Sequence, residues 1–290
     1  MGHKMKETCI LICVRDRPTE LFGLLQSIRT QTYKDWDIVI IDDCSGTTLN
    51  NYHFLNMIIT RMLLEGHQIS IQRNEFVHGV SKARQRAVDF ANSLGNYKYY
   101  CRLDDDVILS EDYLDRLIKV INSGYDLASG VTIPFTPTFK RDPKFLKGIG
   151  NRIVLDKEGN FLFNGDDFGT PYLRSEIVKI HHFRSCALYK REIHEKVNYT
   201  PTRLSNNGFR EEELFSLKCL MNGFKLGADT QATTFHLCTP SGGERDTMDR
   251  VPFNEMILKE FVKENLDKLP NEFFTEINEL ARMKETNCIR

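Results

Sequence analysis

The chain has 290 residues, 41% of them hydrophobic, which suits one large α/β domain or two small ones with a sizeable core. Its formal net charge of −1 argues against broad electrostatic binding to nucleic acid or to an anionic membrane surface. No apolar run reaches the length of a membrane span, and the opening residues lack the apolar core of a signal peptide.

In chain order, residues 9–14 form an unbroken apolar run and read as a fully buried strand. A helix follows from Thr19 to Gln31, with Leu21, Leu24, Leu25 and Ile28 at i, i+3, i+4 and i+7, and Pro18 suits its entry. Residues 37–41 make a second strand that ends at Asp42 and Asp43. A helix through 49–65 and a strand near 67–72 come next. A helix over 81–93 then lines up Val80, Ala83, Ala87 and Ala91. The run 97–103 reads as another buried strand and ends at Asp104, Asp105 and Asp106. The helix after it, over 111–122, aligns Leu114, Leu117, Ile118 and Ile121. This alternation predicts a mostly parallel sheet with helices on both faces. Ligands of such sheets bind outside the carboxyl ends of the strands. Here those ends carry Arg15 and Asp16, Asp42 and Asp43, and the aspartate triplet, so one charged rim is expected.

The second half is less regular. Residues 132–175 are rich in Pro, Gly, Phe and Asp and predict a long irregular segment with hairpins and loops. A strand is expected over 183–190 and a helix over 211–222, with Leu214, Leu217 and Met221 on one face and Gly223 at its C-terminal cap. Residues 251–283 read as two amphipathic helices parted by Leu269 and Pro270. The eight cysteines include no Cys-x-x-Cys pair, so core thiols in a reducing compartment are expected rather than disulfides. Cys9 and Cys13, four apart on a strand, face the same side.

Three adjacent carboxylates at a strand end repel one another unless a cation or solvent takes up the charge. A divalent metal carrying a diphosphate suits them, because Mg2+ and Mn2+ take one or two carboxylates and complete their shells with phosphate oxygens and water. A solvated acidic turn would place the same residues there.

Residues 9–45, with Leu24, Leu25, Gln26, Ser27 and Ile28, then Gln31, Thr32 and Tyr33, then Ile40, Ile41, Asp42, Asp43, Cys44 and Ser45, closely resemble the opening of family 2 glycosyltransferases with the GT-A fold. The Asp-x-Asp motif of that family matches Asp104 to Asp106, and the helix opening Arg210, Glu211, Glu212, Glu213, Leu214 resembles its acidic catalytic segment. The resemblance covers roughly residues 8–240. It implies a Rossmann-like GT-A sheet in one domain over 1–245, split into a nucleotide-binding half about 8–131 and an acceptor-side half about 132–245. Residues 246–290 follow as a helical extension.

The resemblance also implies a nucleoside diphosphate sugar donor (UDP- or GDP-sugar), Mn2+ or Mg2+, a glycan or other hydroxyl acceptor, and a cytoplasmic setting, peripheral to a membrane where the membrane carries the acceptor. Asp43 is then expected at the base, and the turn from Cys13 to Asp16 around the nucleotide. Arg15 and Arg17 depart from a turn that is more often neutral in the family; they pair either with phosphate or with Asp42, Asp43 or the aspartate triplet. Asp106 is expected on the metal, Asp104 on the ribose or a metal-bound water, and Asp105 is ambiguous. Asn74 and Arg84 resemble the diphosphate-proximal loop and helix, and Arg245 is expected to close over the diphosphate. His236 reads equally as a metal ligand or a core histidine.

Inverting transfer needs one base to take the acceptor proton. By the pattern of the family it resembles, Leu214 after the acidic pair implies Glu211 in that role, with Glu212 second; a helix N-terminus also favours acids through its dipole alone. Two rivals were weighed. A sugar-nucleotide nucleotidyltransferase would carry a glycine-rich phosphate loop after the first strand, and residues 14–19 have no glycine. A non-catalytic carbohydrate-binding protein would not need the intact triplet and acidic helix.

Overall fold

A computed structural model of the protein describes residues 4–135, 152–155, 161–164, 175–239, 242 and 250–270. The first strand, β1 (Thr8–Val14), shows how the sequence builds two cores from one run. Because side chains alternate across a strand, Cys9 and Leu11 enter one apolar cluster and Ile10, Ile12 and Val14 the other, on opposite faces of the sheet. Cys13 packs against the same cluster as Cys9, as the spacing predicts.

Helices and strands alternate through the rest of the first half. α1 (Pro18–Arg29) starts with Pro at its first turn and buries Leu21, Leu24, Leu25 and Ile28. β2 (Trp36–Asp42) is buried throughout, and α2 (His53–Leu64) and β3 (Ile69–Arg73) follow. α3 (Val80–Leu94) buries Ala83, Ala87 and Ala91 against the Cys9 face, where its small residues let the helix approach closely. β4 (Tyr99–Asp104), the short β5 (Val107–Leu109) and α4 (Tyr113–Asn122) complete the first half. β3, β2, β1 and β4 are all parallel, in that order. The register sets Val14 beside Asp42 and Cys13 beside Asp104, which brings three strand ends to one rim.

Beyond β4 the sheet turns mixed. β6 (Leu127–Pro134), β9 (Ile177–Lys179), β10 (Ala187–Lys190) and β11 (Leu226–His236) extend it in the order β4-β10-β6-β11-β5, with β9 also on β11. β10 runs antiparallel to both β4 and β6. β7 (Arg152–Leu155) and β8 (Phe161–Asn164) form a separate hairpin, in keeping with the hairpins expected over 132–175. α5 (Glu211–Met221) and α6 (Arg250–Lys263) contribute Leu214, Leu217, Ile257 and Leu258 to the Cys9 face. The second helix expected near 271–283 lies outside the described residues. No helix among the described residues is long and apolar enough to cross a membrane.

β6 and β11 pair in parallel with a register shift between Ala228 and Thr233, and Gly130 sits where β11 comes closest. A Cβ there would run into the Ala232 carbonyl oxygen and lie 2.8 Å from the Ala232 Cβ. Gly130→Ala therefore forces the two strands apart. It is expected to cost about 1–3 kcal/mol, read as a lower midpoint in thermal denaturation.

Candidate active site

The rim formed by the ends of β1, β2 and β4 is one wall of a cavity of about 800 Å³. Cys13, Arg15, Arg17, Asp43, Arg84, the three aspartates and His236 line it, together with Glu212 and Glu213 from α5. The structure thus collects most of the residues that the sequence singles out. Arg245 lies outside the described residues.

The two acids that end β2 divide their work. Asp42 accepts from the Ser45 N–H at 2.8 Å and from Arg73 Nη1 at 2.8 Å, the turn role expected of it. Asp43 accepts from Asn74 Nδ2 at 2.6 Å and from the N–H groups of His78 and Gly79 at 3.0 Å each. A carboxylate offers about four acceptor positions, so its own loop fills most of them. Asn74 is thus bound to Asp43 and does not line the cavity itself. Gly79 is at φ +83°, and a Cβ there would lie 2.7 Å from that of Asn206, so only glycine lets this loop meet the 204–210 segment.

The aspartate triplet is held by cations from two directions. Asp104, at the end of β4, takes Arg84 Nη2 at 2.8 Å. Burial works against its charge, but Arg84 and Arg102 hold its carboxyl below the usual range. Asp105 and Asp106 share Arg17, whose Nη1 lies 2.8 Å from the first and 3.2 Å from the second. Burial pushes the Asp105 carboxyl up to about 7 against the pull of Arg17. Of the two partners the sequence left open for Arg17, the structure shows the triplet. Arg15 Nε lies 3.9 Å from Asp16 Oδ2, an ion pair too long for a hydrogen bond. Burial pushes the Cys13 thiol up to about 12, so it packs as a neutral side chain.

His236 reaches this cluster through strand pairing. β5 follows the triplet directly and runs antiparallel to β11, with Val107 beside His236, and the Leu237 N–H bonds the Asp106 carbonyl at 2.8 Å. His236 Nε2 then sits 3.0 Å from Asp106 Oδ1. Burial disfavours its charged form, yet the bond to Asp106 and the Asp104 charge hold its pKa above the ordinary value. The pair suits a divalent cation: two neighbouring ligands of an octahedral ion with bonds of about 2.1 Å are about 3 Å apart. One carboxylate and one imidazole suit Mn2+. Among the described residues no three His, Cys, Asp or Glu side chains gather for an ion.

The feature missing from the sequence reading is Arg102. It lies inside the apolar run 97–103, and at 1% exposure it is among the largest fully buried side chains. Its Nη1 donates to both oxygens of Glu211, at 3.0 and 2.9 Å, and its Nη2 to Glu212 at 3.1 Å. Nη2 also lies 3.9 Å from Asp104, and the Phe183 ring covers the guanidinium at 4.9 Å. Arg84 Nε approaches Glu211 at 3.3 Å without hydrogen-bond alignment. Glu211, 3% exposed, is thus enclosed by two guanidiniums and does not line the cavity. Glu212 does, and burial, with Glu211 and Glu213 beside it, pushes its carboxyl up to about 7 against Arg102. The signal available in the sequence was the arginine itself, because a charge inside a buried strand requires a partner.

Counted as fully ionised, the cluster holds five carboxylates, Asp104, Asp105, Asp106, Glu211 and Glu212, against three guanidiniums, Arg17, Arg84 and Arg102, a formal excess of two negative charges that protons on Asp105 and Glu212 relieve in part near pH 7. That excess is of the sign a divalent cation relieves.

The profile of Glycosyl transferase family 2 matches residues 9–197, more than half of the chain. The chain belongs to this family. The crystal structure of GalNAc-T7 with UDP, GalNAc and Mn2+ superimposes with a TM-score of 0.62 at 15% identity, over 98% of this chain and 55% of that one. S. aureus TarS 1-349 in complex with UDP-GlcNAc gives 0.53 at 14% identity, over 85% and 60% of the two chains. At these identities the likeness is one of fold, and it establishes the GT-A arrangement. The uncharacterized protein y4gI of Sinorhizobium fredii (strain NBRC 101917 / NGR234) is 26% identical over 114 residues, 38% of this family 2 chain and 11% of that protein. The chain spans less than two thirds of the length of each of these proteins.

Arg102→Met keeps the apolar stem and leaves Glu211 buried beside one guanidinium instead of two. Breaking a buried ion cluster in this way is expected to cost about 3–5 kcal/mol, measured by urea denaturation. The double variant Arg102→Met, Glu211→Gln should recover part of that loss.

Proposed function

We propose that this family 2 protein is a metal-dependent glycosyltransferase that moves a sugar, with inversion, from a nucleoside diphosphate sugar to a hydroxyl of a glycan or other acceptor. The observation that supports this most directly is a single cavity with two chemistries. The Asp106–His236 pair meets it at one strand end, and Glu212, its carboxyl pushed up to about 7, meets it from the first turn of α5. A pKa near the working pH is what a general base requires.

In this reading Asp43 receives the base of a UDP or GDP moiety in the acceptor position its own loop leaves open, within a turn shaped by Cys13 and Arg15. Arg15, which lines the cavity and whose Nε makes no hydrogen bond, faces the phosphates. Asp106 and His236 hold Mn2+ or Mg2+, which supplies positive charge against the leaving diphosphate when bound. Asp104 and Asp105 shape the ribose side, and Arg84, which lines the cavity and holds Asp104, places positive charge near the diphosphate. Glu212 takes the proton from the attacking hydroxyl. Glu211 and Arg102 are positioning residues that aim Glu212, which reverses the order of preference drawn from the sequence. Residues 1–245 act as one catalytic domain. The extension 246–290 supports it through Asn254 of α6, which donates to the Ser205 hydroxyl and the Phe209 carbonyl and accepts from the Ser205 N–H.

The test of the reaction class is a panel of UDP- and GDP-sugars with Mn2+ in a thermal-shift assay. At one hundred times its dissociation constant the right donor stabilises the protein by about 2.7 kcal/mol. If no nucleotide sugar shifts the transition, the reading fails.

The test of the base is a pH profile. A base works deprotonated, so kcat/KM should fall about tenfold per pH unit as pH drops below about 7. Glu212→Gln should lower turnover by about 10²–10⁴-fold and erase that limb. An unchanged profile in Glu212→Gln moves the base elsewhere.

A further inference from the structure

Arg17 stands where a cation is wanted. Its guanidinium bridges Asp105 and Asp106, touching Asp106 at Oδ2 while His236 takes Oδ1. Both oxygens of the proposed metal ligand are therefore engaged. The two partners respond differently to an incoming ion. An imidazole can exchange its proton for a metal, whereas a guanidinium has no lone pair and stays charged. A metal on Asp106 would face Arg17 across a few ångströms of a largely buried site, where like charges repel strongly.

The side chain is also held from behind. Arg17 is the cap residue of α1, fixed by Pro18 and by the Leu21 N–H bond to its carbonyl at 3.0 Å. Gly242, from the segment after β11, lies on its stem: a Cβ at 242 would run into Arg17 Cγ and lie 2.6 Å from the Asp16 carbonyl oxygen. Pro18 and the Leu21 bond constrain the backbone at Arg17, and the freedom left to the side chain lies in its terminal torsions.

We propose that Arg17 makes binding of the divalent cation and binding of the diphosphate depend on one another. Without a donor it neutralises Asp105 and Asp106 and keeps the cation affinity low. When a diphosphate enters, Arg17 turns from the carboxylates to the phosphate oxygens, an exchange between two oxyanions that costs it no charge partner. The vacated Asp106 then takes the cation. Metal and donor enter as a unit, and a cation alone is held weakly. This rests on the glycosyltransferase reading above for the identity of the anion, and on the Asp106–His236 seat for the position of the metal.

The experiment is a Mn2+ titration of the whole protein, followed by the electron paramagnetic resonance of free Mn2+, alone and with UDP or inorganic pyrophosphate. Wild type should bind Mn2+ weakly alone and about tenfold or more tightly with either diphosphate, a coupling in the usual range. Arg17→Ala should bind Mn2+ alone about tenfold more tightly than wild type and lose most of the gain from the diphosphate. Arg17→Gln, which keeps the length of the side chain, should behave alike and serves if the alanine variant does not fold. Equal affinity of wild type and both Arg17 variants for Mn2+ alone overturns the proposal. Asp106→Ala separates the causes. If it abolishes Mn2+ binding while the Arg17 variants match wild type, only the role of Arg17 falls. If it leaves Mn2+ binding intact, the metal seat falls and the proposal falls with it.

Discussion

A guanidinium buried inside a β-strand constrains everything around it. Arg102 sits in β4, between β1 and β10, where no water can replace a missing partner. Its charge is tolerable only because α5 brings two carboxylates to it, so the first turn of α5 is tied to the central strand at a fixed height. Strand alternation then does the rest. Asp104 lies two residues on and so shares the face of Arg102, and Arg84 spans Asp104 and Glu211. The acids at the strand end and the acids on the helix thereby belong to one electrostatic unit. Buried ion clusters add little net stability over apolar packing of the same volume. Their worth here lies in position, because a shift of α5 along the sheet would leave charges unpaired.

The backbone around the cavity carries strain of its own. The described non-glycine residues with positive φ are Asp16, Cys44, Ser185, Arg210 and Cys238. Ser185, Arg210 and Cys238 line the cavity, and Asp16 and Cys44 adjoin residues that do. A left-handed conformation disfavours any side chain other than glycine, and such residues gather where a site demands a particular direction. Arg210 shows the use. At φ +70° it caps α5, stacks over Phe209 and pairs with Glu213 at 2.8 Å and with Glu255 of α6 at 2.9 Å. That cap sets the phase of the helix and so turns Glu212 and Glu213 to the cavity and Glu211 away from it.

Periodicity made the first half of the fold legible. β1, β2 and β4 are unbroken apolar runs, and α1, α3 and α4 carry regular stripes, so element type and order could be read and the charged rim followed from them. β6 escaped because Leu127, Ala128, Ser129 and Gly130 have the composition of a loop; their strand exists because β10 and β11 flank it. β11 was legible only near Thr233–His236, since its first half contains Gly227 and Asp229. β5 is too short to show a period. At the site, residue types could be read but not their directions. Glu211, Glu212 and Glu213 are equivalent in sequence, and a left-handed cap at Arg210 has no sequence signature. Arg102 was hidden by its neighbours, and its role depends on a helix more than a hundred residues later.

One arginine tunes two adjacent glutamates to different ends. Glu211 faces Arg102 with both oxygens and has Arg84 beside it, so its lone pairs are directed inward at cations. Glu212 receives a single bond from Arg102 and stands next to two other acids, with burial as the larger influence on its carboxyl. A proton on Glu212 relieves crowding among like charges. The distinction does not come from the residues, which are identical, but from a rotation of about 100° per residue along a helix whose start is pinned to the sheet. Starting the helix one residue later would put Glu212 in the place of Glu211 and Glu213 in that of Glu212, while leaving the sequence of acids unchanged.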